Sequence, residues 1–339
     1  MIFDKFTWAE FGLGFFVYDG VISDLLSGVY GFVLVEEEDP DYPNPHRDPL
    51  PKTIVLIANP SEPMDSRFYS VEFEDFDFTT IGYSSRLRDF VAVDTVRTVY
   101  SYRNEESLEE IEGDLGHGGY SSTISKTVSI DGDVYAVGGP LKIYKKLGLN
   151  AWEDITRDVI IPEEFFSDDS RLILHFQDMA GFSKSDIYAV GYRGMVWHYD
   201  GKRWSEIAFP ANTLLETVVC ANDGNVYITD KNGSVWVGRE STWTKRTESG
   251  MSLPFFDSAW FSNRLWCAND YGMWVLEDDK LVPAEKAKES PLPEDMLGLC
   301  HRIDISPDGE KMLICGHNGA AIFDGQSWSI LFDRRLLED

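Results

Sequence analysis

The chain has 339 residues, 43% of them hydrophobic and 14% aromatic, with 58 acidic against 30 basic side chains, a net charge of −28 and a pI near 4.5. That balance argues against nucleic acid as a direct partner, because phosphate would meet a strongly negative surface. The opening carries Asp4 in place of a basic cluster, and no run is apolar and long enough to cross a bilayer as a helix, so neither a membrane nor an export signal is expected.

From the front, Phe6 to Tyr18 and Val29 to Val35 read as strand. Residues 36–53 break that pattern. Glu36, Glu37, Glu38, Asp39 and Asp41 stand among Pro40, Pro43, Pro45, Pro49 and Pro51, which predicts a long, stiff, acidic loop. Ile54 to Ala58 is a strand core, followed by a second acidic stretch, Glu72, Glu74, Asp75 and Asp77, and by a further strand core at Phe90 to Val93. A third acidic stretch, Glu105, Glu106, Glu109, Glu110, Glu112 and Asp114, overlaps Asn104 to Gly113, for which a short helix capped at Gly113 is expected. The glycine-rich segment Gly113 to Gly119 lacks the strand before and helix after that phosphate binding needs, and reads as a connector. The first 122 residues carry a charge of −16 and the remaining 217 a charge of −12, so the front concentrates the field.

From residue 123 one phrase repeats five times. Tyr135-Ala136-Val137-Gly138 recurs letter for letter from Tyr188, and looser copies begin at Tyr227, Trp266 and Leu313, at spacings of 53, 39, 39 and 47 residues. Nine residues after each anchor stands Tyr144, Trp197, Trp236, Val275 or Ile322; Gly194, Gly233, Gly272 and Gly319 fall between in the last four, and Trp152, Trp204, Trp243, Leu281 and Trp328 follow. With Asp-Gly pairs at 131, 200, 223, 308 and 324, this period is that of four-stranded propeller blades. One blade reads Thr217–Ala221, Val226–Thr229, Val235–Gly238 and Trp243–Arg246 from inside outward, with Gly233 in a turn. Five blades fill 123–330 and two more fit in 1–122, giving an all-β fold: one domain over 1–339, seven four-stranded blades, with six or eight as the neighbouring counts. Pairing of strands from the front and the back of the chain within one blade is expected to close the ring.

A fourth acidic loop, Glu163, Glu164, Asp168 and Asp169, joins the blades that contain Trp152 and Trp204. Loops from outer to next inner strand share a face with the turns between second and third strands, so that face would also carry Tyr192-Arg193, Lys231-Asn232, Asp270-Tyr271 and His317-Asn318. The six histidines show no metal-ligand spacing, and no nucleophile elbow, P-loop or zinc motif occurs, so no catalytic residue, metal or cofactor is expected. Asp131-Gly132-Asp133 lacks the further oxygens of a calcium loop and reads as a hairpin turn. The repeated tryptophans read as packing between sheets rather than sugar platforms, and Cys220, Cys267, Cys300 and Cys315 as buried free thiols of a reducing cytoplasm.

The run from Asp186 through Gly191, with Gly194, Trp197, Asp200-Gly201 and Trp204, resembles the blades of bacterial WD-like and kelch-like propellers, and Ser306-Pro307-Asp308-Gly309 resembles their hairpin turn. The chain lacks the recurring Gly-His and Trp-Asp signature pairs, one set per blade, of true WD repeats. Acidic, degenerate propellers of this kind are similar to immunity proteins that neutralise secreted toxins of type VI or Rhs systems, nucleases among them. That resemblance implies a cytoplasmic, non-enzymatic binder of one basic toxin, met one-to-one by the acidic stretches with Tyr192 and Tyr271. The alternatives are a carbohydrate-binding or glycan-acting propeller, which would need carboxylates and aromatics converging on the channel, and a scaffold with several partners.

Overall fold

The runs of Val, Ile, Tyr and Ala pair as antiparallel ladders because each is too short and too β-branched for a helix and is bounded by turn residues. The structure, a computed structural model, describes residues 1–25, 28–38, 47–103, 106–112, 122–160, 174–248, 251 and 253–338. It holds seven four-stranded antiparallel sheets, each built from four consecutive strands, arranged as the blades of a β-propeller. The inner strands of blades 1 to 7 are Phe15–Ile22, Thr80–Ser84, Thr123–Ile130, Phe176–Ser183, Leu215–Cys220, Asp257–Phe261 and Arg302–Ile305. The anchor phrases form second strands, such as Asp186–Gly191, buried on both faces because a sheet packs on either side. Ile54 to Ala58 and Phe90 to Val93 lie in strands of blades 1 and 2, as their sequence suggests.

Apolar side chains fill the seams between blades. Val91, Val99, Val134, Ala136 and Tyr144, with Trp152, join blades 2 and 3, and Trp204, Trp243 and Trp328 pack against other inter-blade clusters. Trp328 stacks on Phe323 at 4.6 Å. Asp131 and Gly132 both have positive φ, the backbone of a tight hairpin turn, and Asp133 is drawn into ion pairs with Arg86 and Lys145. In the Asp-Gly turns at 200, 223, 308 and 324 each aspartate accepts one or two amide hydrogens of its own turn, which fixes the hairpin without a ligand. The four cysteines are free, and three are fully buried.

Three expectations are corrected. Lys5–Phe11 is a helix, α1, not strand: Asp4 and Thr7 satisfy each other's backbone amides as a capping box, a local choice that outweighs the apolar pattern. Glu106–Glu110 is the outer strand of blade 2, not part of an acidic helix, because its backbone completes the ladder to Thr98–Tyr102; Asn104 and the glycine-rich Gly113 to Gly119 lie outside the described residues. Among the described residues, no blade mixes strands from the two ends of the chain. Blade 7 meets blade 1 by packing: Ile2 N–H donates to the Leu331 carbonyl at 2.6 Å, and Trp8 of α1 is buried among Phe3 and Phe332 while its Nε1 donates to Glu338 at 2.9 Å. Arg334, which opens the short helix α2 (Arg334–Leu337), reaches back to the Phe15 carbonyl and to Glu37.

Inner strands have a free edge facing the channel, and the seven joints between them are closed by side chains. Asp19 accepts from Ile81 N–H at 2.9 Å, Asp178 from Val218 at 3.1 Å, Asp257 from Ile303 at 3.0 Å and Asp304 from Ile22 at 2.8 Å, each on the next blade. Hydroxyls serve the other three: Thr80 with Thr127, Ser125 to the Phe176 carbonyl, and Ser258 with Thr217. At the four aspartate joints an edge amide is thereby paired without strand continuity.

Candidate partner-binding face

The connections from outer to inner strands and the turns between second and third strands share one face of the ring, here called the upper face. On it, Glu37 forms a two-pronged ion pair with Arg334 at 2.6 and 3.0 Å and lies 3.4 Å from His317, and the Arg334 hydrogen bond holds its carboxyl below the usual range. Glu36 is half-buried and accepts the Lys52 amide; Glu38, Glu74 and Asp75 are exposed with their charges directed to solvent. Asp77 pairs with Arg47 at 2.9 Å. Glu72 pairs with Lys52 at 2.8 Å, and Glu106 on the outer rim accepts the Tyr69 hydroxyl. Tyr271 is 76% exposed at a turn tip, whereas Tyr192 is half-buried in a tight turn. Asp39, Asp41, Glu105, Glu163, Glu164, Asp168 and Asp169 lie outside the described residues.

Glu109 does not face a partner. Its side chain is 0% exposed and accepts both hydrogen bonds of Lys146, at 3.1 and 2.9 Å, from the third strand of blade 3. Strand alternation turns Glu109 into the seam while Glu106 and Glu110 point out.

Beside Glu37 and Asp77 the upper face holds a cavity of about 310 Å³ whose walls include Phe16, Tyr18, Arg47, Phe78, His301 and His317. Phe78 is half-exposed at φ +42°, a region bulky residues rarely adopt. The backbone around it is fixed: Thr95 donates its amide and hydroxyl to the Asp77 carbonyl at 3.0 and 3.1 Å. Arg47 lies over the Phe78 ring at 4.2 Å and His317 stacks on Phe16 at 4.6 Å. His301 hydrogen-bonds Asp270 at 2.6 Å, while burial and then Arg302 pull its pKa down. An aromatic-walled recess rimmed by carboxylates suits insertion of a partner's basic or aromatic side chain. Asp270-Tyr271 and His317 are the turn residues expected on this face; Phe16, Phe78 and His301 come from three distant segments, and only their adjacency to the named loops signals them.

The central channel encloses about 300 Å³ and is lined by the inner strands. Carboxylates do converge there, but they belong to the joints. Lys126 bridges Asp178 at 3.0 Å and Asp257 at 2.8 Å; burial opposes its charge, yet those two partners hold it protonated. Burial pushes Asp304 up to about 8 and Asp19 to about 6, the latter against the pull of Arg302. From an ordinary value of 3.8, such groups bind more protons folded than unfolded. Their contribution is fully present below that value and is lost as pH rises through the folded pKa. Stability is therefore expected to fall by on the order of a few kcal/mol between about pH 4 and 8 on their account. Urea midpoints across that range should show the fall in the protein and a flatter profile in Asp304→Asn; parallel profiles would contradict it.

No family model matches the chain. The chain is 28% identical over 226 residues to the immune protein Tsi7 of Pseudomonas aeruginosa, across 67% of this chain and 69% of that protein. Among solved structures, YCF48 from Cyanidioschyzon merolae superposes with a TM-score of 0.55 at 10% identity, over 91% of this chain and 95% of the other. The WD40 β-propeller domain of Doa1 gives a TM-score of 0.52 at 10% identity, over 89% and 90%. At such identities the two structures establish the propeller fold alone; the resemblance to propeller immunity proteins rests on the sequence match.

Proposed function

We propose that this chain is a cytoplasmic immunity protein that binds a cognate toxin one-to-one through its upper face and covers the toxin's substrate site, with no catalytic step of its own. The observation that carries this reading is the 28% identity over 226 residues to a protein named an immune protein. The charge narrows the toxin. A chain of net −28 with exposed Glu38, Glu74 and Asp75 attracts a basic protein, and a nuclease effector of a type VI or Rhs system, whose cleft must hold phosphate, is the basic toxin this surface fits. Carboxylates stand in for phosphates, and the recess beside Phe78 takes an anchoring side chain. Free, buried thiols suit a reducing compartment.

The test is co-purification with the product of the adjacent gene, followed by a nuclease assay with and without the protein. A one-to-one complex that abolishes cleavage is expected. Glu38→Lys, Glu74→Lys and Asp75→Lys together should slow association about tenfold or more at low salt and much less at high salt, whereas Tyr271→Ala should act on dissociation. A complex whose formation is indifferent to salt and to these changes would refute the charge-guided mode, and absence of any complex at low salt would refute the immunity reading itself.

A further inference from the structure

The seam between blades 2 and 3 opens at its lower end, away from the upper face, into a cavity of about 350 Å³ whose lining includes Leu87, Asp89, Ser101, Arg103, Glu106 and Leu149. This size falls among small-ligand sites, roughly 300–1,000 Å³. Asp89 begins the second strand of blade 2 and is 6% exposed, and its Oδ1 has no hydrogen-bond partner among the described residues; the buried Ser101 Oγ also has none. A buried carboxylate oxygen without a donor is costly, and the seam's own cation does not serve it, because Lys146 Nζ is given to Glu109. Arg103, exposed at the mouth, acts on the Asp89 charge from a distance but donates no hydrogen bond to it among the described residues. The register pairs Val91 with Ser101, so Asp89 and Ser101 are diagonal neighbours on adjacent strands, on the order of 7 Å apart at Cα, and one small donor between them can reach both. Leu87 and the exposed Leu149 supply apolar walls.

We propose that this seam is a binding site for an alkylammonium group, whose ammonium donates to Asp89 Oδ1 and Ser101 Oγ while its aliphatic stem lies along Leu87 and Leu149. Of the neighbouring carboxylates, Glu106 accepts the Tyr69 hydroxyl and Glu109 holds Lys146, so the two acceptors left over suit an ammonium rather than a divalent cation, and the leucines select a stem over a bare ion. The site lies on the opposite end of the ring from the upper face and does not depend on the toxin reading. The group has two sources, a lysine side chain of a protein and a free diamine.

The test is ligand-observed NMR titration of the full chain with N-acetyl-lysine methylamide, 1,5-diaminopentane and, as the neutral control, 1-pentanol. Saturable binding of the amines and not of the alcohol is expected, weakened about tenfold or more by Asp89→Asn and by a smaller factor by Ser101→Ala. Leu149→Arg, at an exposed position that leaves folding intact, should also abolish it by removing an apolar wall and adding a second cation beside Arg103. Preference for the lysine derivative would assign the site to a protein side chain, and preference for the diamine to a free polyamine. No saturable amine binding, equal binding of the alcohol, or binding unchanged in folded Asp89→Asn and Leu149→Arg would overturn the proposal.

Discussion

Lys146→Met is expected to destabilise the ring by about 3–5 kcal/mol, read as a drop in the urea midpoint at unchanged slope. The pair it breaks is wholly shielded: both side chains are 0% exposed, and Lys146 also lies over the Trp152 ring at 5.1 Å. Methionine fills much of the same volume, so the loss comes from the Glu109 carboxylate, left in the seam with Ser107 as its remaining donor at 3.0 Å. Replacing both partners, Lys146→Met with Glu109→Leu, should recover most of the loss, since a buried pair is often matched by apolar residues of like volume. A single-variant loss below about 1 kcal/mol would show that water reaches the seam.

The second large effect is expected at the meeting of blades 7 and 1. Trp8→Ala should cost about 3–5 kcal/mol, because Trp8 is 1% exposed between Phe3 at 5.3 Å and Phe332 at 5.5 Å and its removal leaves a cavity where no strand pairing holds the ring. Phe6, on the same helix but 88% exposed, is the matched control, and Phe6→Ala should stay within about 0.5 kcal/mol. Calorimetry would read both. Equal, small effects would mean that α1 is an ornament and that the ring closes without it.

The five later blades were legible because their information is local: an anchor strand such as Tyr-Ala-Val-Gly, joined in most blades by a turn glycine and a tryptophan within thirty residues, needs no distant partner to be recognised. Gly233, at φ +71°, sits in the turn where the pattern puts it. The front blades lack the tryptophans, yet Ile54 to Ala58 and Phe90 to Val93 still mark strands buried on both faces. What escaped was non-local. Nothing near Phe6 reveals that α1 docks on α2, more than 300 residues away, and Glu109 reads as one more surface acid until Lys146, 37 residues on, is seen beside it. The acidic character of the upper face was visible as charge, but its recess joins Phe16, Phe78 and His301, which no window of sequence contains.

The joints between inner strands carry a consequence for how such a protein can change. The donors and acceptors of the seven inner-strand joints all lie within inner strands, facing the channel, and none of those seven belongs to the connections of the upper face. Loop length and loop charge can therefore be rewritten without disturbing those joints, provided anchors such as Glu37, which holds Arg334, are kept. The same washer-like frame can be refitted to a new partner by exchanging its upper loops, as a lathe accepts a different tool while its bearings stay untouched.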